Sequence, residues 1–249
     1  MQNPAIAHDP TARVPGQHTR AIVTRLRLRT LVALGVLAVA TALLGRTFGL
    51  RDVRFLGSEI ALLAAIFVVS RYVLPLVERH DRGATGEEQV GGLLDGLGGK
   101  GWRVIHDASL GNGNVDHILV GPAGVFTVET KSNPGPVRVA RVHGATLRQA
   151  QAQRKAIERA TGVEVEPLLV YSRAWVDRPL ARRKGVRVLP ARMLAGYLDR
   201  RAPMLSPKQV QSAHEQVADA LALARGREAD KLGTWPRRLR RHARGRAGS

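Results

Sequence analysis

Asn114-Val115-Asp116-His117-Ile118-Leu119-Val120-Gly121-Pro122-Ala123-Gly124-Val125-Phe126-Thr127-Val128-Glu129-Thr130-Lys131 is the stretch from which the rest of the chain can be read. Two β-rich runs, Val115–Val120 and Val125–Thr130, flank Gly121-Pro122-Ala123-Gly124, which has the composition of a hairpin turn. With Pro122 and Ala123 as the two loop residues, Gly121 faces Gly124, Val120 faces Val125 and Ile118 faces Thr127. The same register sets Asp116 opposite Glu129 and Asn114 opposite Lys131. Cross-strand partners project to one side, with β-carbons about 5 Å apart. Two carboxylates and an amine therefore converge at the open end of an otherwise apolar hairpin.

Like charges directly opposite each other destabilise a sheet. A cation between Asp116 and Glu129 would remove that cost. Mg²⁺ suits the place, because it takes one or two carboxylates plus waters and phosphate oxygens. Lys131 could orient or deprotonate an attacking water, or stabilise charge building on a phosphate. Metal-assisted hydrolysis of a phosphodiester is the chemistry this trio best supports. The plain alternative is a surface ion pair between Glu129 and Lys131 with Asp116 solvated near a strand end. A longer loop would shift the register and separate the three groups.

Outward from the hairpin, helix and strand signals alternate. Thr85 and Glu88 have capping-box spacing before Val90, Leu93, Leu94 and Leu97, with Gly98-Gly99 as the stop. Glu87 and Glu88 would then sit in a first turn, where acids favour the helix dipole. Trp102–His106 reads as a strand, with His106 and Asp107 at its end, and a further strand is expected around Val137–Ala140. Ala145–Ala160 reads as a helix carrying Gln149, Gln151 and Gln153, of which Gln149 and Gln153 are candidates to face substrate or support the site. Val165–Tyr171 and Val186–Leu189 are strands, and Pro190–Leu198 a closing helix. That order implies an α/β fold with a mixed central sheet flanked by helices. His117 points away from Asp116, which suits packing better than ligation. Gly111-Asn112-Gly113 reads as a flexible loop without the helix-opening context of a phosphate cradle.

Gly86-Glu87, Asn114-x-Asp116-His117, Gly121-Pro122-x-Gly124-Val125-Phe126 and Glu129-x-Lys131 together resemble the nuclease-related domain (NERD) family, over roughly residues 82–190. The resemblance implies a restriction-endonuclease-like fold of the PD-(D/E)xK type. It also implies that Glu87 is the helix acid, Asp116 and Glu129 the metal-binding acids, and Lys131 the catalytic lysine. The family often has Gln where this chain has Asn114, and an Asn-aromatic pair where it has Ser132-Asn133.

Composition bounds what surrounds this domain. The 249 residues carry a formal net charge of +19, and the absence of cysteine excludes thiolate metal sites, disulfides and a cysteine nucleophile. Aromatic residues are only 4%, which weakens any reading as a single-strand binder built on a stacking platform. Leu31–Gly45 contains no charge, and Phe55–Val77 carries only Glu59 and Arg71. Each falls short of the about 20 apolar residues that cross a bilayer comfortably, and spans one if its end charges snorkel. A helical hairpin through the membrane, a signal peptide cut near Ala38–Ala42 and a pair of buried soluble helices all compete. The hairpin fits best. Arg20, Arg25, Arg27 and Arg29 before it, and Arg79 and Arg82 after it, favour both ends on the cytoplasmic side.

The expected organisation is a basic, irregular segment over 1–28 and two transmembrane helices within 29–78. A NERD-like domain over 82–200, a C-terminal helix over 206–225 and a basic, disordered tail over 226–249 follow. Arg237, Arg238, Arg240 and Arg241 in that tail could grip phosphates or lie against anionic lipid. The expected activity is Mg²⁺- or Mn²⁺-dependent hydrolysis of DNA or RNA by a chain anchored in a bacterial-type inner membrane. The lipid bilayer and nucleic acid are its expected partners. The rival is an inactive, membrane-tethered nucleic-acid binder or scaffold, suggested by the basic tail and the departures at Asn114 and Ser132-Asn133.

Overall fold

The computed structural model describes residues 14–49, 52–109 and 114–233. The described residues divide into two compact units, one of Gly16–Gly86 and the other from Glu87 onward. The first unit holds α1 (Gln17–Phe48), α2 (Val53–Val68) and the beginning of α3 (Leu74–Asp95).

Helix α1 begins at Gln17, well inside the segment expected to be irregular; residues 1–13 lie outside the described ones. The reason is local, since Gln17–Leu28 contains neither glycine nor proline and is rich in Arg and Leu, both good helix formers. Asp52 caps α2 by accepting the Arg54 N–H at 2.7 Å. Near the link the two helices approach closely. A β-carbon on Gly45 would stand 2.7 Å from the Phe55 ring, so a larger residue there would have to displace that ring. The second apolar run is not one α-helix, because a π-helical turn, Val69–Val73, separates α2 from α3. Two helical stretches are long and apolar enough to cross a membrane, and their most apolar windows are only 6% buried. Leu31, Val36, Leu43, Leu56, Leu63 and Phe67 are among the exposed side chains.

The expected helix start at Thr85 is not found. Helix α3 runs through it unbroken, and the Thr85 hydroxyl donates to the Asp81 carbonyl at 3.0 Å instead of capping. A threonine inside a helix satisfies its hydroxyl on the preceding turn, so the spacing to Glu88 has no cap to form. Glu87 and Glu88 accordingly lie within α3 and not in a first turn.

The second unit is built on a six-stranded sheet in the order β1-β2-β3-β5-β8-β7. Its strands are β1 (Arg103–Ser109), β2 (Asn114–Gly121), β3 (Gly124–Lys131), β5 (Val165–Tyr171), β7 (Arg182–Arg183) and β8 (Val186–Pro190). The first three are antiparallel, β3, β5 and β8 are parallel, and β7 returns antiparallel to β8. A parallel step needs a crossover, and α4 (Gly144–Thr161) supplies it between β3 and β5. Strands β4 (Gly135–Val137) and β6 (Ala174–Val176) form a separate parallel ribbon. Strand β4 lies earlier than the one expected around Val137–Ala140 and shares only Val137 with it, because Val139–Arg141 is a 3₁₀ turn. Strands β6 and β7, three and two residues long, are too short to show the periodic pattern by which a sequence announces a strand. Helix α5 (Leu194–Asp199) closes the sheet, and α6 (Pro207–Gly233) runs past residue 225 into the segment expected to be disordered. Arg237, Arg238, Arg240 and Arg241 lie outside the described residues, as does Gly111-Asn112-Gly113.

Both sheet faces are covered, which makes this the mixed α/β architecture the sequence implies. On one face Leu119, Phe126, Leu168 and Leu189 pack against Val90 and Leu94 of α3 and Leu194 and Leu198 of α5. On the other, Ile118, Val120 and Val125 meet Ile157 of α4 and Val210, Val217 and Leu221 of α6. Each such fully buried side chain stabilises by about 1.5–3 kcal/mol relative to an exposed one. Trp102 lies against Gly121, where a β-carbon would come within 2.2 Å of the indole, and tilts over Phe126 at 5.8 Å.

Candidate active site

The hairpin register is the one the turn composition implies. Gly121 pairs with Gly124, Val120 with Val125, Ile118 with Thr127 and His117 with Val128. Beyond His117 the ladder stops. Asp116 does not pair with Glu129 through the backbone; its Oδ2 accepts the Thr130 N–H at 2.7 Å. The break has a counterpart on the other side of β2. His106 pairs with His117 and Ala108 with Val115, while Asp107 between them has φ of 49° and is buried. Strand β1 therefore continues past His106 and Asp107, which do not end it. The sheet opens around Asp116, and its carboxylate takes over a backbone bond that the ladder no longer makes.

Glu129 remains on the α4 face with Lys131, and only 2% of its side chain is exposed. Its Oε1 accepts from Lys131 Nζ at 2.5 Å and its Oε2 from Gln153 Nε2 at 2.5 Å. Gln153 also donates to the Asn114 carbonyl at 2.8 Å, which ties α4 to the start of β2. The register facing Asn114 with Lys131 does not form. Asn114 pairs with Ser109 and its side-chain amide donates to Asp107, because the broken ladder turns the start of β2 towards β1.

The electrostatics follow from burial and crowding. Burial first, then the Glu129 and Glu87 carboxylates, push the Asp116 pKa well above its ordinary 3.8, against the Thr130 N–H and Lys131. Burial alone would lower Lys131, but Glu129, by charge and hydrogen bond, and Asp116 outweigh it and hold the ammonium above its ordinary value. Lys131 is therefore a stable cation and not a proton acceptor. Glu87, on α3, joins the site through its field on Asp116.

His117 points to the other face, fully buried, with Nδ1 at 2.8 Å from His106 Nδ1. His106 Nε2 in turn lies 2.9 Å from Asp95. Burial, then His106, lower the His117 pKa to about 3, so it packs as a neutral ring.

Of the residues singled out by sequence, Asp116, Glu129, Lys131, Glu87, Asn114 and Gln153 come together, and Gln149 stays exposed on α4. Gln153 had a signal that periodicity could expose. It occupies the buried stripe of α4 with Leu147, Ala150 and Ile157, where a polar residue needs a polar partner. Tyr171 was missed; it pairs with Lys131 across β3 and β5, a long-range parallel contact that no local pattern announces.

The donor set bears on a metal ion. Among the described residues no group of three His, Asp or Glu side chains forms a ready cage. Two carboxylates suffice for Mg²⁺, which keeps several waters. The buried Gln153 Oε1 and Thr130 Oγ1 have no hydrogen-bond partner, and the mutual repulsion that lifts Asp116 is what a cation relieves. The residues fit a divalent ion held by Asp116 and Glu129.

Residues 82–172 match the family model of the nuclease-related domain (NERD). The match covers α3 from Arg82 onward, the site hairpin, α4 and β5, and so contains every acid and amine described above. Among solved structures, a repair endonuclease from Pyrococcus abyssi is similar at 16% identity over 43% of this chain, with a TM-score of 0.24. The similarity spans 39% of that endonuclease. Comparison with curated proteins gives no match.

Proposed function

We propose that residues 87–233 form a divalent-metal-dependent nuclease domain that hydrolyses phosphodiester bonds of DNA or RNA. The observation that carries the reading is the buried Glu129, clamped between Lys131 and Gln153 beside a buried Asp116 whose pKa is raised by burial first and then by the Glu129 and Glu87 carboxylates. Acids crowded together out of water repel one another, and a divalent cation between them relieves that repulsion. Asp116 and Glu129 would hold Mg²⁺ or Mn²⁺, which supplies a Lewis acid for the phosphoryl oxygen and a more acidic bound water.

The remaining work belongs to the chain. The Thr130 N–H fixes the Asp116 carboxylate, and Gln153 fixes that of Glu129. Lys131, kept protonated, offers a positive charge where negative charge builds on the phosphate. Taking the proton from the attacking water would need a neutral amine, so Lys131 does not serve as the base. With labelled DNA and RNA, the full-length chain in detergent should cleave in Mg²⁺ and not in EDTA. Lys131→Ala should cut the rate by about 10²–10³, the usual cost of losing a transition-state donor. Equal cleavage by both proteins would defeat the assignment.

One observation favours a second reading. Both Glu129 oxygens are already engaged by protein groups, Lys131 standing where a cation would approach. The rival is therefore a nucleic-acid-binding domain without turnover, and salt-sensitive binding with no metal-dependent cleavage would establish it.

The two apolar helices are assigned to a bilayer with both ends cytoplasmic, supported by their exposed apolar surface and flanking arginines. The cysteine-free chain makes this testable. In intact cells an impermeant maleimide should label Thr47→Cys and spare Gln149→Cys, and the opposite pattern would reverse the topology.

A further inference from the structure

Beside Lys131 lies a cleft of about 450 Å³ lined by Arg138, Arg141, His143, Tyr171 and Pro136. Its cations come from the segment that follows β4. Asp177 fixes that segment, its Oδ1 accepting the Val139 N–H at 2.9 Å and the Arg178 N–H at 2.7 Å. Arg138 and Arg141 are exposed and pair with no acid among the described residues. Uncompensated arginines gathered at the mouth of a cleft suit a polyanion.

The second observation is independent of charge. On β6, Ala174 and Val176 turn inward and Trp175 turns outward, 56% exposed. A large indole left in solvent on a three-residue strand contributes nothing to the core. Trp175 is the register partner of Pro136, which itself lines the cleft, and partnered side chains project to one face. A flat aromatic surface thus stands next to a basic cleft that ends at Lys131. Exposed Arg173, just before β6, adds to the charge on this side.

We propose that the β4–β6 ribbon is a platform for single-stranded nucleic acid, with a backbone phosphate in the Arg138–Arg141 cleft and an unpaired base stacked on Trp175. The inference rests on the nuclease-domain reading for the identity of the polyanion. A base paired inside a duplex keeps its faces covered, whereas a single strand offers one to the indole. The low aromatic content excludes a long row of stacked bases and leaves room for one. The platform therefore selects an end, a gap or an unpaired stretch.

The test is binding in EDTA, where cleavage does not interfere. Fluorescence anisotropy with the full-length chain in detergent would compare a labelled oligothymidine strand with a blunt duplex of equal length. Trp175→Ala should weaken single-strand binding about tenfold, the scale of one lost stack, with Trp175→Phe recovering most of it and the duplex little affected. Arg138→Ala should lower the slope of log affinity against log salt by about 0.7, the value for one phosphate on a single strand. Oligothymidine should also quench a part of the tryptophan emission that Trp175→Phe no longer shows. Unchanged single-strand affinity in Trp175→Ala, or an equal loss for the duplex, overturns the platform. Cleavage that still depends on Lys131 would then leave the nuclease reading standing. Trp175-dependent binding without any cleavage would sink the nuclease reading and keep the platform.

Discussion

Two carboxylates at opposite ends of the same sheet have been given opposite surroundings. Glu166, near the start of β5, accepts from Arg187 at 2.7 Å, Arg182 at 2.9 Å, Tyr197 at 3.0 Å and Arg201 at 3.3 Å. Burial would raise its pKa, but Arg182 and Arg187, aided by Tyr197, bring it below the ordinary 4.5. Arg187 and Arg201 also lie over the Tyr197 ring, which closes the cluster. Asp116 has burial without that compensation: two further acids face it, and its pKa rises. The contrast separates an acid that holds the fold together from one that the fold holds under repulsion. Acids pushed out of their ordinary range cluster at functional sites, and structural ion-pair networks such as that of Glu166 shift them too.

That contrast can be broken from either end. The largest effect should come from Asp116→Asn, which keeps an acceptor for Thr130 and removes the charge proposed to hold the metal. Metal-dependent cleavage should fall by about 10³, while the protein stays folded by circular dichroism. Next is Glu166→Ala, which strands the half-buried Arg187 guanidinium. It should cost about 2 kcal/mol in urea unfolding, less than a fully buried pair because Arg182 and Arg201 reach solvent.

The pH dependence of stability sharpens the comparison, because the two signs differ. The Glu166 pKa is lowered by folding, so its contribution is present above 4.5 and is lost as pH falls through the folded value. The Asp116 pKa is raised, so its contribution is full below 3.8 and is lost as pH rises through the folded value. Asp116→Asn should therefore stabilise the protein at neutral pH and leave its stability unchanged in acid. Destabilisation at neutral pH would contradict the raised pKa.

Smaller still is Gln153→Leu, which fits the apolar stripe of α4 but releases Glu129. Cleavage should drop about tenfold with stability within about 1 kcal/mol of wild type. Gln149→Ala, on the exposed face of the same helix, should change neither stability by more than about 0.5 kcal/mol nor cleavage. An effect there equal to that of Gln153→Leu would undo the distinction between the two glutamines.

What the residues announced and what they concealed divide along a physical line. The hairpin was legible because Gly121-Pro122-Ala123-Gly124 and two apolar runs are local, and local turn chemistry fixes register. Helix α4 was legible for the same reason, its period being written in adjacent turns, although its role as a crossover was not. Thr85 misled because capping spacing says nothing of whether a helix has already begun. The break at Asp116 was hidden, since it depends on Asp107 of β1 and Thr130 of β3 at once.

By itself the sequence determined two apolar helices, an α/β domain and a Glu-x-Lys strand with an acid on its hairpin partner. Those features rest on composition and short-range periodicity, which any window of the chain displays. Only the tertiary structure decided that Gln153 and Lys131 clamp Glu129, that Asp116 leaves its ladder, and that Trp175 stands beside the arginine-lined cleft. Each of these joins residues far apart in the chain, and such distances are set by how layers pack, not by neighbouring residues.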